Sequence, residues 1–330
     1  MIVFLVFMVT PAFAVREQVD MGARAIALGG AYSAVADDAS AIYWNPAGLC
    51  QLGHQELVAS HADLYGEGIK QNVVGAVVPL TPDQAAAFEW YSTGYDDGEL
   101  DFGENRLDLA FSLRPNRRVA FGITGKYLSR NVDLDETAFG SGHGLGMDAG
   151  VLAFVARNVR VGAVLQDVFD THIDDPDRGS TVAYPRGLRV AGAWTPAAPL
   201  TLALDVDDRL HGGVEYAPVE VLALRAGAQD DLGGPEGTTW SAGAGLRIGI
   251  VKFDYAVDFH PDLGSTNHFD LGLAFNFNPA QVRIEKVEGQ EVYSSLYKSY
   301  DRRPLAKVKL RNLKDVPLTA RVVLSSPDLM

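Results

Sequence analysis

A single cysteine, Cys50, among 330 residues leaves no internal disulfide framework. Positive charge is scarce as well. Lys and Arg number 28 against 42 Asp and Glu, a formal net charge of −14, so nucleic-acid phosphates would repel the chain and no nucleic-acid partner is expected. Long apolar runs occur only at the start. Residues 1–14, MIVFLVFMVTPAFA, are almost wholly apolar, too short to span a bilayer, and end in Ala12-Phe13-Ala14, the small-x-small pattern of an export signal. No Lys or Arg precedes that apolar core, and no later stretch reaches the roughly 18 apolar residues of a spanning helix.

Paired zinc spacing is missing from His54, His61, His143, His172, His211, His260 and His268. Asp175-x-Asp177-x-Gly179 lacks the twelfth-position Glu of a calcium loop. Gly140 to Gly146 joins no strand to a helix N-terminus, as a phosphate cradle would. Asp207, Asp208 and His211 could meet at a rim, but no nucleophile with an evident base stands near them. No metal, cofactor or enzymatic activity is expected.

What the sequence has in quantity is glycine, at 34 residues above the ~7% norm and dispersed rather than periodic, as in a β protein with many turns and close backbone approaches. From about residue 55 to 277 apolar residues alternate with polar or small ones for about ten positions, then a turn follows. Leu107, Leu109, Phe111 and Leu113 alternate with Arg106, Asp108, Ala110 and Ser112; Phe269, Leu271, Leu273 and Phe275 alternate with Asp270, Gly272 and Ala274. Period two puts the two sets on opposite faces.

Turns near residues 66, 80, 98, 116, 136, 157, 176, 197, 209, 218, 234, 249 and 263 divide the region into about fourteen strands, an even count as in bacterial outer-membrane barrels. Tight connections at 79–83, 114–118, 156–158, 195–199 and 217–219 alternate with long ones at 94–104, 129–143, 166–186 and 229–237, which predicts short turns on one side of a membrane and long loops on the other. Tyr127, Trp194, Trp240, Phe259, Phe269 and Phe277 sit towards strand ends, where an interfacial aromatic girdle lies. A soluble sandwich would show the same alternation. Its other face would be solvated, however, and here that face mixes Gly and Ala with isolated charges such as Arg106, Lys126, Arg160, Arg189 and Asp254, which suits a lumen.

The fold expected is therefore all-β, a transmembrane antiparallel barrel of about fourteen strands over residues 55–278. Residues 15–54 form a segment before it, and residues 279–330 a β-rich piece read as a partial sandwich. That piece carries strands at Val282 to Val287, Leu305 to Asn312 and Leu318 to Leu324. Asp270-x-Gly272-x-x-Phe275-x-Phe277 resembles the insertion signal read by the barrel-assembly machinery.

Met21 to Leu49, MGARAIALGGAYSAVADDASAIYWNPAGL, is neither helical nor strand-periodic. Its alanines permit close approach, Asp37 and Asp38 can accept backbone N–H bonds at a turn, and Pro46 holds Asn45 extended. Such a composition suits a segment folded into a lumen, where backbone polar groups need partners away from water. The segment resembles the N-terminal signature of the PorV/PorQ family, related to the FadL-type long-chain fatty-acid transporters. The resemblance implies a fourteen-stranded barrel in the bacterial outer membrane, bathed by its lipids and plugged by an N-terminal hatch. Asn45, Pro46 and Ala47 match the hatch's Asn-Pro-Ala motif, and Asp37 and Asp38 match the hatch turn. The inward charges are candidate partners of those two acids.

The resemblance offers two roles. A PorV-type member would dock secreted cargo proteins at the outer membrane; the C-terminal piece, which the resemblance does not clearly cover, is read as periplasmic in either case. A FadL-type member would carry a hydrophobic solute. Acidic loops with Asp96, Asp97, Glu99 and Asp101, then Asp133, Asp135 and Glu136, then Asp170, Asp174, Asp175 and Asp177, then Asp230, Asp231 and Glu236 would repel a fatty carboxylate, so the docking role is the leading expectation.

Overall fold

The computed structural model describes residues 20–134, 137–175, 179–232, 237–276, 282–289 and 306–312. The export signal, Asp135, Glu136, Asp177, Glu236, Phe277 and the strand expected at 318–324 lie outside these residues. The chain divides into two compact units, with the boundary between Phe275 and Asn276.

In the first unit, alternating segments form β1 (Gln55–Leu64), β2 (Ile69–Thr81), β3 (Gln84–Asp96), β4 (Leu100–Asn116), β5 (Val119–Leu134), β6 (Thr137–Ala156), β7 (Val159–Gln166), β8 (Thr171–Asp175), β9 (Gly179–Tyr184), β10 (Gly187–Ala197), β11 (Leu200–Val206), β12 (Arg209–Val219), β13 (Leu222–Asp231), β14 (Thr239–Ile248), β15 (Val251–His260) and β16 (Gly264–Phe275). All pairings are antiparallel. β1 pairs with both β2 and β16, β5 with β6, and β7 with β10, so fourteen strands close into a ring and β8–β9 is a hairpin added on the upper part of β6.

Burial in this ring runs opposite to that of a water-soluble protein. On β4, Leu107, Leu109, Phe111 and Leu113 are 41%, 66%, 40% and 38% exposed, while Arg106, Asp108 and Ser112 between them are 2%, 1% and 0% exposed. Across the described residues 42 large apolar side chains are exposed. At about 1 kcal/mol for each half-exposed side chain, leaving them in water would cost on the order of 40 kcal/mol, against a typical net stability of about 5–15 kcal/mol. Only lipid removes that cost. A closed ring meets the other demand of lipid, because it leaves no unpaired edge in hydrocarbon. Tyr127, Trp194, Trp240, Phe259 and Phe269 are all on this exposed face.

The wall is uneven. β4, β5 and β6 run for 17, 16 and 20 residues, whereas β11 has only 7. This corrects the expectation of long loops at 94–104 and 129–143. Apart from the turn at 97–99, the described residues there remain in the ladder, with Asp96 opposite Asp101 and Asp101 opposite Asp133. The apolar alternation fades because the strands rise past the lipid and both faces become wet, although backbone pairing continues. The connection at 166–186 does leave the ring and contains the β8–β9 hairpin.

In the second unit, β17 (Val282–Gly289) pairs antiparallel with β18 (Ala306–Asn312), Val282 opposite Asn312. Two strands match two of the three expected there, and they do not amount to a sandwich.

Candidate functional site

Residues 20–52 contain only short helical turns: α1 (Ala23–Ile26), α2 (Ala41–Trp44) and a 3-10 turn (Pro46–Gln51). No residue from 20 to 52 is exposed. Their contacts reach strands on all sides of the ring through the inward face. Ala23 N donates to Asp270 Oδ2 of β16 at 2.7 Å. Tyr32 N and Ser33 N donate to Asp205 Oδ2 of β11 at 3.2 and 2.9 Å. Gly29 N donates to Ser241 Oγ of β14 at 3.0 Å, and Thr124 Oγ1 of β5 donates to Ile42 O at 3.1 Å. The segment lies across the lumen and has its backbone polar groups satisfied by the wall, as burial demands.

Asn45, Pro46 and Ala47 act together. Asn45 is extended (φ −164°) and caps the 3-10 turn by accepting from Ala47 N at 3.1 Å, with Pro46 in the first turn. Its Nδ2 donates to Ser33 O at 2.8 Å, closing the segment on itself, and to Val151 O of β6 at 3.3 Å. The wall accommodates the motif with glycine. A Cβ on Gly122 of β5 would overlap the Pro46 carbonyl carbon, and one on Gly150 of β6 would overlap Asn45 Oδ1. These close approaches account for glycines that strand propensity disfavours.

Charge pairing differs in part from expectation. The cation that holds Asp37 and Asp38 comes from within the segment: Arg24 Nη1 donates to Asp37 at 2.6 Å and to Asp38 at 3.1 Å. Arg24 also grips Glu215 of β12 through Nε and Nη2 at 2.9 and 3.0 Å, the planar two-point contact a guanidinium favours. Arg225 extends the network, bridging Glu215 and Asp254 at 2.6 Å each. Of the inward cations singled out in the sequence, Arg160 reaches Asp37 at 3.6 Å and donates to Val35 O. Arg106 pairs with Asp108 at 2.9 Å, and Lys126 with Asp148 and Asp167 at 2.7 and 2.6 Å. These acids belong to the wall and its β7–β8 junction, since the same strand (Asp108) or a neighbouring one (Asp148) already places a carboxylate within reach. Arg189 pairs with Asp207 at 2.6 Å, reaches Gly30 O and lies over the Trp44 ring.

Burial alone would raise the Asp38 carboxyl. Arg24, Lys252 and hydrogen bonds from Ser40 and Tyr32 hold it instead below the usual carboxylate range. The segment is thus fastened by an ionised acid.

Asp207 and His211 do meet, Nε2 to Oδ1 at 3.0 Å, with His211 Nδ1 against Gly29 O at 2.8 Å. One imidazole nitrogen thus meets the segment and the other the β11–β12 connection, so the pair helps to seat the segment. Asp270 and Gly272 point inward with Asp270 under α1, and Phe275 shares the parity of the outward Phe269 and Leu271. At the loop end Tyr184 of β9 and Arg130 both bond to Glu104 of β4, so the hairpin leans over the lumen. At the short-turn end lies a cavity of about 680 Å³, reached by Arg24, Glu215, Arg225 and Asp254.

Sequence reasoning missed Arg24, Glu215, Arg225 and Asp205. A signal for Arg24 was present as the one cation inside a small-residue segment that carries an Asp pair. Asp205 and Glu215 were not singled out, because strand periodicity carries no information about what faces a residue across a lumen.

No protein-family model and no curated protein matches the chain. Solved structures do. The CymD monoaromatic hydrocarbon channel superposes with a TM-score of 0.64 at 14% identity, covering 79% of this chain and 99% of that one. The Ralstonia pickettii toluene transporter TbuX gives 0.56 at 12% identity, covering 77% and 97%. A Pseudomonas aeruginosa FadL homologue gives 0.52 at 13% identity, covering 75% and 96%. These matches do not show the PorV/PorQ family, and at such identities they establish shared architecture: this chain has the fourteen-strand barrel fold of the FadL-type hydrocarbon channels and transporters.

Proposed function

We propose that the protein is a non-enzymatic outer-membrane channel for hydrophobic small molecules, with residues 20–52 as the hatch that sets when the path is open. The observation that carries this reading is the filled ring. Fourteen strands face lipid with their apolar side, and a leading segment with no exposed residue blocks the lumen. Proteins sharing that fold are a monoaromatic hydrocarbon channel, a toluene transporter and a FadL homologue. The docking role anticipated from PorV/PorQ resemblance finds no comparable support.

The hatch's attachment is directional. Arg24, Asp205, Asp270 and Glu215 tie its first half to β11, β12 and β16, while Asn45 to Ala47 rest on β5 and β6. A solute therefore moves only where part of this contact set yields. The acid-rich rim disfavours a fatty carboxylate and leaves neutral hydrophobic molecules as the better class.

The test is uptake by outer-membrane-bearing cells that express the chain and lack their own route, with toluene as the neutral probe and oleate as the carboxylate. Faster toluene uptake than in cells without the chain supports the reading. Unchanged uptake together with recovery of secreted proteins on the purified barrel would overturn it in favour of docking.

A further inference from the structure

The cavity at the short-turn end carries an imbalance that transport of a neutral solute does not explain. Its lining holds eight carboxylates and four cationic side chains. Arg24, Arg225 and Lys252 are already engaged, Lys252 by Glu56 at 2.6 Å. Two acids in the wall each keep one oxygen without a hydrogen-bond donor. Asp270 gives one oxygen to Ala23 N, and its Oδ1 has no hydrogen-bond partner. Glu89 Oε1 has none either: Arg106 Nη2 forms an ion pair with it at 3.8 Å, beyond hydrogen-bond reach, while Arg106 Nε sits on Asp108 at 2.9 Å. Asp270 and Glu89 are only 9% and 1% exposed.

Register sharpens the cost. Asp270 stands directly opposite Asp254, and Glu89 directly opposite Asp108. Like charges so placed repel, and a buried acceptor without a donor bears its full desolvation cost. A cationic donor entering the cavity would relieve both. No group of three or more metal-ligating side chains is arranged to hold a metal ion among the described residues, so the charge would arrive on an organic frame. The cavity's lip supplies the rest: Pro199, Ala217, Pro218, Val219, Val221 and Leu222 present an apolar surface at its mouth. Its volume, about 680 Å³, lies in the range that encloses a small organic molecule.

We propose that this cavity binds an amphipathic organic cation, its ammonium head directed at the Asp270 and Glu89 carboxylates and its apolar body along the lip. The site is independent of whether such a molecule, or any other, crosses the membrane.

The experiment is calorimetric titration of the full-length chain, purified in a maltoside detergent, with three probes that share one frame: 4-phenylbutylamine, 4-phenylbutyrate and butylbenzene. The amine binds at least tenfold more tightly than the carboxylate and more tightly than the neutral probe. Asp270→Asn and Glu89→Gln each weaken amine binding about tenfold or more, as loss of a charge-assisted hydrogen bond does, while Glu99→Gln, exposed in the β3–β4 turn away from the cavity, leaves it within twofold. Equal binding of amine and carboxylate, amine binding that survives both substitutions, or an equal loss with Glu99→Gln would each overturn the assignment. The comparison of probes on the unmodified chain decides the matter even where a variant fails to insert. Uptake in cells is a separate readout, so loss of the channel reading leaves this result standing and the reverse also holds.

Discussion

The two faces of the same fourteen strands follow different rules. Outward, Leu107, Leu109, Phe111 and Leu113 need only be apolar, because fluid lipid accepts any shape. Inward, Gly122, Gly150, Asp205 and Glu215 each answer particular atoms of residues 20–52. The outer face specifies a solvent and the inner face specifies a partner. Substitutions should therefore separate by chemistry outside and by exact identity inside.

The largest separation is expected from charge placed outside. Leu109→Arg, near the middle of β4, should destabilise the barrel by about 2–4 kcal/mol, read as a lower urea midpoint for refolding into vesicles, whereas Leu109→Val should change it by less than about 1 kcal/mol. An effect of Leu109→Val as large as that of Leu109→Arg would break the distinction. Inside, Arg24→Ala leaves Asp37, Asp38 and Glu215 without their shared cation and should cost about 2–3 kcal/mol, below the full figure for a buried pair because Arg24 and Asp37 keep some contact with water. Limited proteolysis of folded barrels would show it, with cleavage inside residues 20–52 appearing only in the variant. Asn45→Ala removes two donated bonds and a cap and should cost about 1–2 kcal/mol by the same assay; Asn45→Asp should not rescue it, since a carboxylate cannot donate to Ser33 O.

Acid gives the mildest test. The Asp38 carboxyl is held below its unfolded value, so its stabilisation is fully present above the ordinary carboxylate range and is lost as pH falls through the depressed folded value. Segment protection from an acid-tolerant protease should stay constant from neutral pH down to about 5 and weaken only below about 4. Weakening near neutrality would implicate a different group.

This contrast also explains what could be read from sequence. The strands and their turns were legible because lipid imposes a period of two on every strand, and turn positions near 66, 98, 157, 197 and 249 fall where chain reversals occur. The upper halves of β4, β5 and β6 escaped, as the periodic signal ends where lipid ends. Within the leading segment, Asn45-Pro46-Ala47 was conspicuous by its resemblance to a hatch motif, with Pro46 restraining Asn45. Its partners Gly122 and Gly150 were not, since a glycine that makes room for another residue looks like any other glycine in a strand. The pairing of Asp37 and Asp38 with Arg24, thirteen and fourteen residues away, depends on how an irregular chain folds back, which no repeat encodes.

The most direct test of the filled ring is ionic conductance of the full-length protein in planar lipid bilayers, compared with a form lacking residues 20–52. The account predicts almost no steady ionic current for the full chain and a stable open-pore current once the segment is gone. A steady open-pore current through the unmodified chain, or equal currents from the two forms, would contradict it.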